Sequence, residues 1–164
     1  MARKFMLLGG IAAVMAVPSL ALATCLRPAE RTAFDIRALQ SQLMVVALSC
    51  QQQDSYNAFV TRFRGHLGDA HRGVTGYYQR ASGRQAQRVM DQYITNLANN
   101  QMQVGITQGS HFCQNQMPLF QQAMAANTPA ELAAITQRAS IPQPLNTENC
   151  PTPPARQQRA SATR

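Results

Sequence analysis

The chain has 164 residues, 45% of them hydrophobic, and carries 15 Lys and Arg against 7 Asp and Glu, a formal net charge of +8. That apolar content excludes an intrinsically disordered chain, and the length leaves room for one domain with a real hydrophobic core. The positive excess excludes an acidic solvating protein and favours anionic neighbours such as lipopolysaccharide, acidic polysaccharide, phospholipid headgroups or nucleic acid, of which nucleic acid is the partner not expected here.

Residues 1–23 read as a secretory signal peptide. Arg3 and Lys4 supply the basic start, Phe5 to Val17 the apolar core, and Ala21 and Ala23 the small residues of a cleavage site before Thr24. The apolar run is too short to cross a bilayer comfortably, so a retained anchor is the weaker alternative and no transmembrane helix is expected after cleavage. A second alternative is a lipid on Cys25, because Leu22-Ala23-Thr24-Cys25 loosely resembles a lipoprotein box. Thr24 fits that box poorly, and lipidation would leave an odd number of cysteines in an oxidising compartment. Cleavage leaves residues 24–164, with 13 Arg, no Lys and 7 carboxylates, a net charge of +6.

Pro28 suits the first turn of a helix, and Glu30 the positive end of its dipole. Ile36, Leu39, Leu43, Val46 and Cys50 then recur three and four apart, the clearest amphipathic signal in the chain. Phe34, Val45 and Leu48 broaden that surface and predict a central position. Asp54 or Ser55 caps a second helix carrying Tyr56, Phe59, Val60, Phe63 and Leu67 on one side, with Gly65 and Gly68 weakening its end. From Gly68 to Gly83 the pattern permits a short separate helix, while Gly73 and Gly76 argue for a break. Ala86, Val89, Met90, Tyr93, Ile94, Leu97 and Ala98 form a third strong stripe, fading through Asn99, Asn100 and Gly105 into a loop that ends at Gly109.

Ser110 caps a helix bearing Phe112, Cys113, Met117, Phe120 and Met124, which Pro118 either kinks or restarts. Thr128-Pro129-Ala130-Glu131 is a capping box with Pro at the first helical position, and opens a last helix with Leu132 and Ile135 as core contacts. Pro142, Pro144, Pro151, Pro153 and Pro154 then forbid further helix and predict an extended tail, disordered past Cys150. The expected fold is all-α, a single disulfide-stapled bundle of about five helices: signal peptide 1–23, helical domain 24–141 and proline-rich tail 142–164.

Four cysteines behind a signal peptide imply two disulfides, with three pairings possible. An up-and-down bundle favours Cys50 with Cys113, at the end of the first helix and the start of the fourth, which leaves Cys25 and Cys150 to bracket the fold. No C-x-x-C pair occurs, and His111-Phe112-Cys113 lacks the further ligands that zinc needs.

His66 and His71 lie five apart and do not share a helix face as an i, i+4 metal pair does. The carboxylates are scattered, and Ser110-His111 stands outside any G-x-S-x-G elbow. No catalytic, metal or cofactor site is expected, and no cofactor is implied. The densest basic region runs from Arg62 to Arg88 with Tyr77 and Tyr78 interleaved. Arg80, Arg84 and Arg88, together with those tyrosines, are the candidate anion-binding residues, since guanidinium groups and aromatic rings grip phosphates and sugars by bidentate bonds and stacking. Gly83 interrupts their i, i+4, i+8 register, and an ordinary solvated helix face is the competing reading.

The segments Phe34 to Met44, Leu48-Ser49-Cys50, Tyr56 to Phe63, Thr95-Asn96-Leu97-Ala98 and Phe112-Cys113 make the chain resemble a group of small exported helical proteins of unassigned function from α-proteobacteria. The resemblance spans about residues 34 to 120 and concerns core and cysteine positions. It implies a periplasmic or secreted setting and supports a Cys50 to Cys113 bridge, and it carries no active site. The leading expectation is a non-enzymatic envelope or interaction module with an envelope partner. The alternatives are an Arg-dependent binder of anionic envelope polymers and an envelope hydrolase, the last requiring two carboxylates or a Ser/His pair converging in a cleft.

Overall fold

Pro28 and Glu30 start the first helix as their positions predict. The computed structural model describes residues 24–151; the predicted signal peptide 1–23 and residues 152–164 of the predicted tail lie outside the described residues. Helix α1 is Pro28–Cys50, and the Glu30 carboxylate accepts the Arg27 main-chain N–H at 2.8 Å, closing the first turn. Its buried residues, among them Phe34, Ile36, Leu39, Leu43, Val45 and Val46, occupy most of its circumference, as in a helix surrounded by others. It ends at Gln51, whose φ of 57° turns the chain into the left-handed region.

Helix α2, Gln53–Ser82, runs without a break through the glycines expected to interrupt it. The predicted second helix and the weak segment after it are one element, kinked only at Phe63. Burial accounts for this: Phe59, Phe63, Leu67, Ala70, Val74 and Tyr77 follow one another three or four apart along a single buried face. Packing that face against α1 outweighs the roughly 1 kcal/mol that each glycine costs. Gly73 also has a positive role, since a Cβ there would lie 2.7 Å from the Ala33 Cβ. The two backbones approach closely because this position has no side chain.

At Gly83, φ is +51°, and the chain passes through a short 3₁₀ turn, Gly83–Gln85, into α3, Ala86–Gln108. Helix α3 outlasts its predicted end, because Gln101 continues the buried row of Met90, Tyr93 and Leu97. The Gln101 amide donates to the Ala38 carbonyl at 3.0 Å, a polar continuation that apolar periodicity does not register. A second 3₁₀ turn, Gly109–His111, leads to α4, Phe112–Gln116, and Pro118 opens α5, Pro118–Ala125. Helix α6, Pro129–Arg138, has the predicted cap: Thr128 Oγ1 accepts from the Glu131 N–H at 3.2 Å, and Glu131 accepts from the Asn127 N–H at 2.7 Å.

The arrangement is all-α, with α1 packed against α2, α3 and α6, and no named strand occurs among the described residues. Both disulfides pair as the topology argument favours, Cys25 with Cys150 and Cys50 with Cys113. Residues 142–150 carry no helix, as their prolines dictate, yet they pack on the bundle as a strap. Ile141 is buried, Leu26 and Asn149 form an isolated parallel bridge, and the Leu26 and Cys150 N–H groups donate to Glu148 and Leu26 carbonyls at 2.9 and 2.7 Å. Where α1, α2 and α3 meet, Phe34 makes edge contacts with Tyr77, Tyr78 and Tyr93 at ring separations of 5.2, 5.9 and 5.1 Å. Among the described residues no helix is long and apolar enough to cross a membrane.

Candidate functional site

The five predicted anion-binding residues divide into two groups. Tyr77 and Tyr78 belong to the aromatic core and are buried. Arg80, near the end of α2, turns inward: it donates to Glu30 at 2.7 Å and to the Cys25 carbonyl at 2.9 Å, with its guanidinium 5.4 Å from the centre of the Tyr77 ring. The Tyr77 hydroxyl donates to the Thr24 carbonyl at 3.0 Å and lies 3.2 Å from Thr147 Oγ1. Arg80 and Tyr77 thus form a clamp around the Cys25–Cys150 bond, holding the entry of the chain and the strap together. Arg84 and Arg88 lie beyond the Gly83 turn and are exposed, Arg88 donating to Gln85 at 2.7 Å. The turn separates this exposed pair from the three residues that serve the fold.

Two further features lie outside what residue patterns predict. Asp35 is a carboxylate with 1% exposure, in the second turn of α1. It accepts from Gln137 on α6 at 2.9 Å and from Gln143 on the strap at 2.7 Å, while Arg31 Nε lies 3.3 and 3.4 Å from its two oxygens. Its main-chain carbonyl accepts from Thr136 Oγ1 at 2.7 Å. One residue therefore ties α1 to α6 and to the strap, and its donors all come from the protein. The i, i+4 spacing of Arg31 and Asp35 is visible in sequence, whereas partners about a hundred residues away are not.

The second feature is an open, mostly apolar groove of about 570 Å³ between the beginnings of α1 and α6 and the middle of α2. Ala29, Ala33, Ile36, Ala70 and Gly73 form its floor and walls, with Thr128 to Ala130 at one side. His66, Glu30 and Asp69 also border it. Both carboxylates already face arginines, Glu30 bonding Arg80 and Asp69 bonding Arg72, and His66 stacks on the Phe63 ring at 6.2 Å. Small residues on three helices leave this groove open, and only the packing brings them together.

Ser110 and His111 fall in the 3₁₀ turn before α4 and are exposed, and Cys113 is bonded to Cys50. Among the described residues no three His, Cys, Asp or Glu side chains come together as a metal would require. Burial, followed by the neighbouring Tyr77, raises the Tyr78 hydroxyl well above the ordinary phenol range. Burial, reinforced by Tyr78 and Asp35 and opposed by Arg37 and Arg31, does the same for Tyr93. Both phenols are held neutral, in keeping with core positions. Comparison of the chain with protein-family models, with curated proteins and with solved structures finds no match.

Proposed function

We propose that this is an exported, non-enzymatic helical interaction module of the bacterial envelope, periplasmic or secreted, released from its signal peptide by cleavage before Thr24. The observation that carries this reading is the pairing of all four cysteines, since such bonds persist in oxidising compartments and are rare in the reducing cytosol. The Cys25 sulfur is bonded to Cys150, which supports a soluble form over one with a lipid on that sulfur. The resemblance to exported α-proteobacterial helical proteins points to the same compartment. Asp35, Glu30, Arg80 and Tyr77 hold helices, strap and chain entry together. Protein recovered from the periplasmic or culture fraction is expected to begin at Thr24, to carry no lipid mass and to show no free thiol when denatured without reductant. Recovery from the cytoplasm with reactive thiols would count against the reading.

A second reading, Arg-dependent binding of anionic envelope polymers, is favoured by the exposure of Arg84 and Arg88, four residues apart in sequence. It narrows the candidate site to that pair, because Arg80 is engaged with Glu30. Replacing both with Gln is expected to lower the salt concentration at which the protein leaves a heparin or lipopolysaccharide column. An unchanged elution position would remove the pair from consideration.

A further inference from the structure

The ends of a domain ordinarily fray unless something ties them down, and residues 24–26 are each tied. The Thr24 carbonyl accepts from the Tyr77 hydroxyl at 3.0 Å, and the Cys25 carbonyl from Arg80 at 2.9 Å. Cys25 is bonded to Cys150, the Leu26 N–H donates to the Glu148 carbonyl at 2.9 Å, and the Leu26 carbonyl accepts from the Cys150 N–H at 2.7 Å. The residue at which the mature chain would begin is therefore already fixed against the strap.

A cavity of about 310 Å³ lies at this junction, lined by Thr24, Cys25, Asn146, Thr147 and Glu148. The Tyr77 hydroxyl that holds Thr24 is also 3.2 Å from Thr147 Oγ1, so one phenol touches Thr24 and the residue before Glu148. Glu148 is the last carboxylate side chain of the sequence. Among the described residues, Glu30, Asp35 and Asp69 each face an arginine, whereas the Glu148 carboxylate forms no ion pair. Arg80, the cation at this junction, is engaged by Glu30 at 2.7 Å.

We propose that this cavity captures the chain's own new amino terminus, with Glu148 as the counter-ion, so that processing tightens the strap on the chain entry. The inference rests on the proposed cleavage before Thr24. Hydrolysis of the Ala23–Thr24 amide by water leaves a carboxylate on Ala23 and an amine on Thr24, and an ordinary α-amino pKa of about 8 keeps that amine an ammonium at neutral pH. The ammonium brings positive charge and three donors to a wall that offers a carboxylate together with the Thr147 hydroxyl and the Asn146 amide oxygen. In the uncleaved chain the same nitrogen is a neutral amide with a single N–H, and the ion pair does not exist. Cleavage thus adds an electrostatic tie between residue 24 and the strap to the disulfide and main-chain bonds already there.

Residues 24–164 contain no Lys, so amine-selective acetylation reaches the Thr24 α-amino group alone. The test is hydrogen exchange at the Leu26 and Cys150 amides, which bridge entry and strap, in the disulfide-bonded chain beginning at Thr24 and in its acetylated form, each with Glu148 and with Glu148→Gln. Acetylation is expected to speed exchange at these two amides by about twofold to fivefold, the range of a solvent-accessible ion pair. Glu148→Gln should do the same, and acetylating that variant should add nothing further. The Leu132 amide, bonded within the capped start of α6, should be indifferent to both changes. Exchange unchanged on acetylation overturns the proposal, as does an equal acceleration on acetylating the Gln variant, which would assign the ammonium to another acceptor. Amino-terminal sequencing of the exported protein tests the cleavage separately: a first residue other than Thr24 would overturn the processing step, whereas the exchange result bears on the pairing alone.

Discussion

At the scale of single residues, Gly73 and Gly76 have the same identity on the same helix and opposite roles. The Ala33 Cβ occupies the space a methyl group would take at Gly73, and it has no rotamer with which to retreat. Gly73→Ala is therefore expected to cost about 1–3 kcal/mol by forcing α1 and α2 apart. Gly76 has nothing within 4 Å of an added Cβ and sits within a helix, so Gly76→Ala should gain about 0.5–1 kcal/mol. Urea midpoints of the two variants measure both, and a common sign would refute the packing argument. Asp35→Ala leaves the Gln137 and Gln143 amides facing a lost acceptor and is expected to lower stability by about 3 kcal/mol in the same assay. The raised phenols of Tyr78 and Tyr93 set a pH limit. Above about pH 10 the unfolded chain releases these protons while the fold retains them, so their stabilising contribution is whole below that pH and falls as pH rises beyond it. Unfolding midpoints followed from pH 8 to pH 11 should show that decline.

At the scale of elements, the two helix starts with a proline and a capping carboxylate were legible, whereas the caps expected at Asp54 or Ser55 and at Ser110 do not form: α2 starts at Gln53, ahead of both residues, and Ser110 lies in the 3₁₀ turn before α4. Pro28 with Glu30, and Thr128-Pro129 with Glu131, declare themselves because a cap is made by neighbours in sequence. Thr128→Ala should cost about 1 kcal/mol, read as a lower thermal midpoint. The continuity of α2 was hidden by its glycines, because propensity is a property of a residue while burial is a property of its surroundings. The extent of α3 was hidden by Gln101, whose polar side chain is wholly buried against a carbonyl of another helix. The strap was foreseen as extended from its prolines, but its attachment depends on Asp35 and Leu26, which are far away in the chain.

At the scale of the molecule, the disulfides close loops whose cysteines are 63 and 125 residues apart. In the chain-entropy picture each restrains the unfolded state by about 4–5 kcal/mol. Replacing Cys50 and Cys113 together by Ser should therefore lower the unfolding free energy by about 4 kcal/mol while the other bridge remains. Replacement of Cys25 and Cys150 should in addition loosen the strap, and hydrogen exchange at the Leu26 and Cys150 amides, which bridge the two segments, would register it.

The sequence by itself determined the helical class, the central place of α1, the caps of α1 and α6, and an oxidised cysteine framework whose pairing needed only the sense of the bundle. These follow from periodicity and from neighbours within one helical turn, which the linear order of residues preserves. Tertiary structure alone decided that Arg80 and Tyr77 clamp the chain entry while Arg84 and Arg88 face outward, that Asp35 is a buried tie, and that small residues on three helices leave an open groove. Each of those outcomes depends on groups distant in the chain meeting at a few ångströms, and a side chain's role as ligand-facing or structural is fixed by what reaches it first.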